Sequence, residues 1–196
     1  MSAVLLEAAT QSVISIEAAR AHLRIDDDRL DTVIQAWIAG ITRHAEHQCG
    51  RAFLRQRWHC RLEGFTDSLT QPRDMPIDLP ISPVLSIKAI TYLDTEQQWQ
   101  TLAPASYQLD TGVDPNQVHL AAGQRWPPTA RVDQAVRIDL LAGYGEQPDD
   151  IPPGILLYLL AKLVEQFDPM ASADIGNVQS SFIDRLLDPY CLPAYR

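Results

Sequence analysis

The sequence predicts an α+β fold that is mainly α, with a helical bundle from the N- and C-terminal helices and an inserted small antiparallel β lobe. Near both ends of the chain, apolar residues recur at three- and four-residue steps, which is the spacing of one helix face. Between residues 55 and 142, alternating apolar and polar residues indicate short strands instead. The prolines between 72 and 83 argue for irregular chain or an edge strand in that stretch. The 196 residues suffice for one domain with a proper core.

The N-terminal part of the bundle is predicted to contain two helices that follow a flexible arm, residues 1–14. Ser15 is the expected N-cap of the first helix, and Glu17 lies in its first turn, where the helix dipole favours an acid. The three acids at 26–28 end this helix and can cap the second. The second helix carries the apolar stripe Leu30, Val33, Ile34, Trp37, Ile38, Ile41 and Ala45. Gly50 is its expected C-terminal stop.

The remaining elements complete one predicted domain, residues 15–168, with helices at 15–49 and 152–168 and a β-rich insertion at 55–142. Strands are expected near 57–62, 84–93, 99–102, 107–110, 117–120 and 136–140. Prolines at the start of the last helix suit a first turn that needs no amide donors. Residues 169–196 are predicted to form a C-terminal tail with a short helix.

Composition limits the classes of protein that fit. The net charge of −9 argues against free nucleic acid as a partner of the whole surface. Three cysteines without a close pairing pattern argue against a disulfide framework and fit a reducing cytoplasm. No signal peptide is evident, and no apolar run approaches the roughly 20 residues that span a bilayer.

A metal site is the first candidate for chemistry. Its candidate ligands are His44, His47, Cys49, His59 and Cys60. His44 and His47 are three residues apart on one helix, so their side chains can approach each other. Their spacing matches no zinc pattern, and Cys60 alternates inward like a core residue. We therefore predict no metal and no cofactor, and a small metal-dependent enzyme using His44, His47 and His59 is the alternative from another class.

Other candidate groups have simpler structural explanations. The acids at 26–28 and Asp31 lack the glycine and late glutamate of a calcium loop. Asp149 and Asp150 are adjacent in a proline-rich turn and do not converge on a substrate, and no catalytic or phosphate-binding motif is present. The chain is therefore not expected to be an enzyme, and no catalytic residue is predicted.

A basic cluster follows the second helix and consists of Arg51, Arg55, Arg57 and Arg61. These arginines fit a solvated strand face, contacts to DNA phosphates, or pairing with carboxylates of a neighbouring subunit. We favour a solvated strand face or pairing with a neighbouring subunit over DNA contacts. Phe53 and Trp58 are the only nearby aromatic residues that could stack on bases.

Several short segments occur in a characteristic order along residues 13–168. They are the helix at 16–24, the Cys49-Gly50-Arg51-Ala52 turn, the strand region at 79–94, the 107–110 segment, Trp126-Pro127, and Gly143-Tyr144-Gly145 followed by Asp150-Ile151-Pro152 and an apolar helix. In this order the segments resemble the phage head–tail connector family, small adaptor proteins that complete the head. The last residues, 191–196, extend beyond the family's usual ending.

The resemblance implies a structural head–tail connector of a tailed phage or prophage. It implies a homo-oligomeric ring of about a dozen copies beneath the portal protein, which completes the DNA-filled head and attaches stopper or tail-completion proteins. DNA would pass through the channel without specific binding, and no membrane is involved. The implied location is the virion neck, after synthesis in the host cytoplasm. A tail-completion protein of the neck and a cytoplasmic binding module are the alternatives.

A subunit or portal interface is expected on the C-terminal helix and its surroundings, because a helix that is apolar on nearly every side is buried centrally or covered by a partner. The candidate interface residues are Leu156, Tyr158, Leu159, Leu160, Phe182, Leu186, Arg51 and Arg55. The sequence leaves open whether this helix belongs to the core or to an interface.

Overall fold

The computed structural model describes residues 2–65, 75–168 and 182–192. The chain divides into two compact units. The strand unit consists of Met1–Ala8 and Arg55–Gly143, and the helical unit consists of Ala9–Leu54 and Tyr144–Arg196.

The strand unit contains two antiparallel sheets. Its described strands are β1 (Ser2–Glu7), β2 (Gln56–Leu62), β3 (Ile77–Asp78), β4 (Val84–Leu93), β5 (Trp99–Thr101), β6 (Tyr107–Asp110), β7 (Gln117–Leu120) and β8 (Val136–Ala142). The larger sheet has five strands in the order β1-β2-β8-β4-β5, and the smaller has three in the order β3-β7-β6. In the larger sheet, the last strand in sequence therefore lies in the centre.

The centre of the larger sheet is built from residues that alternate inward. On β8, Val136, Ile138 and Leu140 are fully buried, as the period of two along a strand requires. Ile138 is paired with Cys60 on β2 and with Ile90 on β4. All three of these side chains have no exposed surface, so they form a row of the core across three strands.

On β2, Arg57 links three strands of the larger sheet. Its Nε and Nη2 donate to Oδ1 and Oδ2 of Asp139 at 3.0 and 2.6 Å, and its Nη1 donates to Oε1 of Glu7 at 2.8 Å. These hydrogen bonds to carboxylates raise the pKa of Arg57 above its usual value. The bidentate geometry fixes the orientation of the guanidinium, so β1 and β8 are both tied to β2.

The helical unit contains three long helices, α1 (Ile16–Leu23), α2 (Asp31–Cys49) and α3 (Pro153–Phe167). The Oγ of Ser15 accepts a hydrogen bond from the amide of Ala18 at 3.1 Å, which confirms the predicted N-cap of α1. Gly50 ends α2 in the left-handed conformation with φ of 66° and ψ of 28°, which confirms the predicted stop. Residues 182–185 are also helical.

One hydrophobic core holds the helical unit together. It consists of Val13, Ile14, Ala19, Ile34, Ile38, Ala45, Cys49, Phe53, Leu54, Ile151, Ile155, Tyr158, Leu159, Leu163, Ile183, Leu187 and Cys191. The core therefore includes residues from both ends of the chain. No helix in the described ranges has the length and hydropathy needed to span a membrane.

The prediction of a mainly helical protein with a small inserted lobe is wrong. In the described ranges, eight strands contain about as many residues as the three long helices. The difference arises because the strands form a five-stranded sheet with its own buried core, rather than a small appendage to the bundle. The prolines between 72 and 83 predict irregular chain or an edge strand, and β3, which lies among them, is an edge strand of the smaller sheet.

The N-terminal segment differs from the expected flexible arm. Ser2–Glu7 forms β1, which pairs with β2 at the edge of the larger sheet, and Val13 and Ile14 are buried in the helical core. Of the predicted tail, residues 169–181 and 193–196 lie outside the described residues. The predicted domain boundaries at 15 and 168 stay a prediction.

Removing buried volume from the strand core should destabilise the protein. We expect Ile138→Ala to lower the free energy of unfolding by about 2–5 kcal/mol, because the lost contacts leave a cavity among fully packed neighbours. The control is Leu85→Ala on β4, whose side chain is 45% exposed and should change stability by no more than about 0.5 kcal/mol. Urea unfolding of the two variants measures this difference, and equal losses would contradict this description of the core.

The same substitution at two glycines of α2 should have opposite effects. Gly50→Ala forces a Cβ into a left-handed conformation and should destabilise the protein by about 1–2 kcal/mol. Gly40→Ala places its Cβ where no atom lies within 4 Å and should stabilise the helix by about 0.5–1 kcal/mol. Thermal unfolding followed by circular dichroism tests the pair, and a loss of stability at Gly40 would contradict the prediction.

Candidate assembly surface

Helix α3 has apolar residues on two faces. Ile155, Tyr158, Leu159 and Leu163 are buried in the helical core. Leu157, Val164 and Phe167 are 54%, 40% and 37% exposed. Their spacing of seven and three residues places these three side chains along one side of the helix. The helix is thus a core element on one face and carries an uncovered apolar row on another.

The apolar row continues onto α2. The rings of Phe167 and Trp37 meet edge to face, with centroids 6.3 Å apart and planes at 75°, a favourable aromatic arrangement. Val33 lies one turn before Trp37 and is 42% exposed. We call the surface formed by Val33, Trp37, Leu157, Val164 and Phe167 the apolar strip. Phe182, which is 65% exposed, adds another large apolar side chain to the surface of the helical unit.

A groove of about 850 Å³ lies between α2 and α3. Its lining residues are Ala36, Trp37, Gly40, Ile41, His44, Gln48, Tyr158, Lys162, Glu165, Gln166 and Asp184. The lining combines aromatic and aliphatic surface with charged groups. Burial raises the pKa of the Tyr158 phenol, so its hydroxyl stays protonated and neutral in the groove.

Lys162 fixes one wall of this groove. Its Nζ donates to Oε2 of Glu165 at 2.9 Å and to Oδ1 of Asp184 at 2.8 Å. Burial alone would lower the pKa of Lys162, but the hydrogen bonds to these two carboxylates outweigh it and raise the pKa. The lysine therefore remains charged and links α3 to the helical turn at 182–185.

The turn after α2 connects the helix end to distant parts of the chain. Oε1 of the buried Glu46 accepts a hydrogen bond from the amide of Phe53 at 2.9 Å. The carbonyl oxygen of Phe53 accepts from the amide of Tyr144 at 3.1 Å. A carboxylate of α2 therefore holds the turn in place, and the turn is hydrogen-bonded to the segment that leads into α3.

The C-terminal segment docks on the same turn. Nε of Arg51 donates to the carbonyl oxygen of Tyr190, and the amide of Leu192 donates to the carbonyl oxygen of Cys49 at 3.0 Å. A Cβ on Gly154 would lie 2.7 Å from the Tyr190 hydroxyl oxygen, so glycine permits this close approach at the start of α3. Arg51 is thus part of the internal structure of the helical unit.

The predicted interface residues fall into three groups by burial. Tyr158, Leu159 and Arg51 are buried, and Leu156, Leu160 and Leu186 are partly buried against the core. Phe182 and Arg55 are exposed. The sequence did not mark Val33, Leu157, Val164 or Phe167 as interface residues. The all-round apolarity of α3 was the available signal, but it did not show which side packs on the core.

The other basic residues of the predicted cluster have partners within the strand unit. Nη1 of Arg61 donates to Oε1 of Gln134 at 3.2 Å, and Arg57 is held by Asp139 and Glu7. Their guanidinium groups therefore serve the sheet of their own chain. Pairing of Arg55 with a neighbouring subunit stays a prediction.

The candidate metal ligands are not gathered into a site. In the described part of the chain, no group of three or more His, Cys, Asp or Glu side chains is arranged to hold a metal ion. His44 and His47 are exposed on α2. Burial, followed by the positive charges of Arg61 and Arg137, lowers the pKa of His59. Burial raises the pKa of Cys60 to about 12, as suits an inert core thiol.

Comparison with known proteins gives a consistent family assignment. The family of phage gp6-like head-tail connector proteins matches residues 13–109, which include α1, α2 and the strands from β2 into β6. No curated protein is similar enough to match.

Three solved structures share the fold. A chain in the virion of a native gene transfer agent particle is 17% identical with a TM-score of 0.76, and the match covers 98% of this chain and 96% of that one. A chain in the neck of the empty particle, computed with C6 symmetry, is 16% identical with a TM-score of 0.70. A chain in the neck of the native particle, computed with C12 symmetry, is 18% identical with a TM-score of 0.66. Each of the two neck matches covers 86% of this chain and 84% of the other.

The two-unit fold with its apolar strip, the ordered sequence segments and the family match agree with one another. Residues 13–109 of the chain match the family of phage gp6-like head-tail connector proteins, and this match supports the role of a structural connector in a phage-like particle.

Proposed function

We propose that the protein forms a homo-oligomeric ring of about a dozen copies at the head–tail junction of a tailed phage, a prophage or a related particle. The ring lies beneath the portal protein, completes the DNA-filled head, and provides the attachment site for stopper or tail-completion proteins. Two of the similar chains come from particle necks computed with C6 and C12 symmetry, which supports a cyclic arrangement. The protein is made in the host cytoplasm and acts without catalysis.

The apolar strip carries this proposal. Leu157, Val164 and Phe167 on α3 and Val33 on α2 expose large apolar side chains in the single chain. Several large exposed apolar side chains on one unit are typical of a protein interface. In a ring, the same surface of every copy meets a different surface of the next copy, which is a head-to-tail contact that closes. Coverage by a neighbouring copy therefore removes the strip from water.

The proposed interface retains part of the residue set that the sequence predicted. Phe182 is exposed, and Leu156, Leu160 and Leu186 keep some accessible surface on the helical unit, so these four side chains can take part in the contact. Tyr158, Leu159 and Arg51 support the interface from inside, because they position α3 and the turn after α2.

The overall charge suits a channel through which DNA moves. The net charge of −9 makes the average surface repel phosphates. A ring with such a lining lets DNA slide through without specific binding. A tail-completion protein at the next level of the neck is the second candidate, and binding of the purified protein to isolated portal rather than to tail protein separates the two.

Charge in the apolar strip should prevent assembly without unfolding the chain. We expect Val164→Asp to keep the wild-type circular dichroism spectrum, because Val164 is 40% exposed. In a phage that lacks its own copy of the gene, this variant should give DNA-filled heads that leak DNA or lack tails. Electron microscopy of the particles and plaque counts measure the outcome, with an expected loss of at least about tenfold in plaques.

Two matched variants control this experiment. Val113→Asp places the same charge at an equally exposed valine of the strand unit, 40% exposed, and should complement normally. Leu159→Asp places it in the core and should abolish folding. Normal plaque numbers with Val164→Asp would contradict the proposed interface, and normal virions from a phage lacking the gene would contradict the proposed function.

A further inference from the structure

Cys49 and Cys191 lie together although they are 142 residues apart in sequence. Their sulfur atoms are 3.2 Å apart, and both side chains are buried in the helical core. Cys49 ends α2, and Cys191 follows the helical segment at the C-terminal end of the described chain. The spacing of the three cysteines in the sequence suggests no pairing. The fold nevertheless brings two of them together as one close pair.

Hydrogen bonds next to the two cysteines hold them close together. The amide of Leu192, the residue after Cys191, donates to the carbonyl oxygen of Cys49 at 3.0 Å. The Sγ of Cys191 lies 3.4 Å from the carbonyl oxygen of Leu187, within hydrogen-bonding range for sulfur. These hydrogen bonds keep the two sulfur atoms near each other. A disulfide bond can form after the sulfurs move about 1 Å closer, to the normal S–S distance.

We propose that Cys49 and Cys191 are a modification site at which oxidation forms an intramolecular disulfide that fastens the C-terminal segment to the end of α2. With a low-molecular-weight disulfide such as oxidised glutathione, one cysteine sulfur attacks the reagent and forms a mixed disulfide. The first glutathione leaves and carries the proton of that thiol. The second cysteine then attacks the protein-bound sulfur and releases the second glutathione. The two cysteines lose two electrons and two protons, and the reagent becomes two molecules of reduced glutathione.

The environment of Cys49 slows the reaction, and the redox state of the compartment decides whether the bond persists. Burial, then the hydrogen bond to Cys191, raises the pKa of the Cys49 thiol well above its usual value. Only the thiolate is a strong nucleophile, so the Cys49 thiol reacts slowly. The pair stays reduced where glutathione and thioredoxin keep thiols reduced. Released particles meet an oxidising environment. This compartmental step rests on the proposed function, whereas the chemistry of the pair does not.

The cross-link closes a long loop that contains most of the chain. Constraining such a loop removes conformational freedom from the unfolded state, and the stabilisation grows with loop length. Without distortion of the folded state, we expect oxidation to raise the melting temperature by about 5 °C or more.

Thiol counting on the purified full-length protein tests the proposal. After incubation with oxidised glutathione, the thiols that react with Ellman's reagent under denaturing conditions should fall from three to one, and peptide mapping should show Cys49 joined to Cys191. The melting temperature should rise and return to its starting value with dithiothreitol. A count that stays at three, a stable mixed disulfide, or a bond that involves Cys60 would overturn the proposal.

Two variants separate the pair from the third cysteine. Cys60→Ala should still form the bond and show the same rise in melting temperature on oxidation. Cys191→Ser should keep two reactive thiols after oxidation and show no rise. Equal melting temperatures of oxidised and reduced protein, with the bond demonstrated, would overturn its fastening role. All these outcomes are independent of whether the protein assembles into a ring.

Discussion

The turn that follows α2 is the constraint on which the helical unit depends. Gly50 reverses the chain in a left-handed conformation, and the carboxylate of Glu46 satisfies the amide of Phe53 just beyond it. A buried carboxylate is costly unless it is hydrogen-bonded, so Glu46 and the turn stabilise each other. Phe53 in this turn is hydrogen-bonded to the segment before α3, and Arg51 is hydrogen-bonded to the C-terminal segment. Parts of the chain that are far apart in sequence thereby meet at one place.

This constraint explains how α3 can have a core face and an exposed apolar face at the same time. The turn and the docked C-terminal segment fix the start of α3, where Gly154 permits the close approach of Tyr190. The helix packs one face into the helical core, and Leu157 and Val164 on another face remain exposed. A helix anchored in this way can present apolar residues without losing its own position. That combination is what a building block needs when it must fold first and assemble afterwards.

The sequence predicted local elements well where a short pattern determines them. Ser15 and Gly50 are found at the helix ends where their chemistry places them, and the alternation of Val136, Ile138 and Leu140 marks the buried side of β8. The sequence did not predict the features that depend on residues far away in the chain. The apolar run at residues 3–6 becomes a strand only because β2 offers it an edge, and the exposed side of α3 is defined only by where α2 packs. The Cys49–Cys191 pair likewise has no local signal, because docking of the C-terminal segment creates it.

The central claim is that copies of this chain form a ring in the neck and cover the apolar strip of one another. A cryo-electron microscopy reconstruction of the neck of particles that carry this protein tests it most directly. The account predicts a closed ring of this chain at the head–tail junction, with Val164 and Phe167 of each copy buried against the next copy. A neck without this chain, or a ring in which these two side chains face solvent, would contradict it.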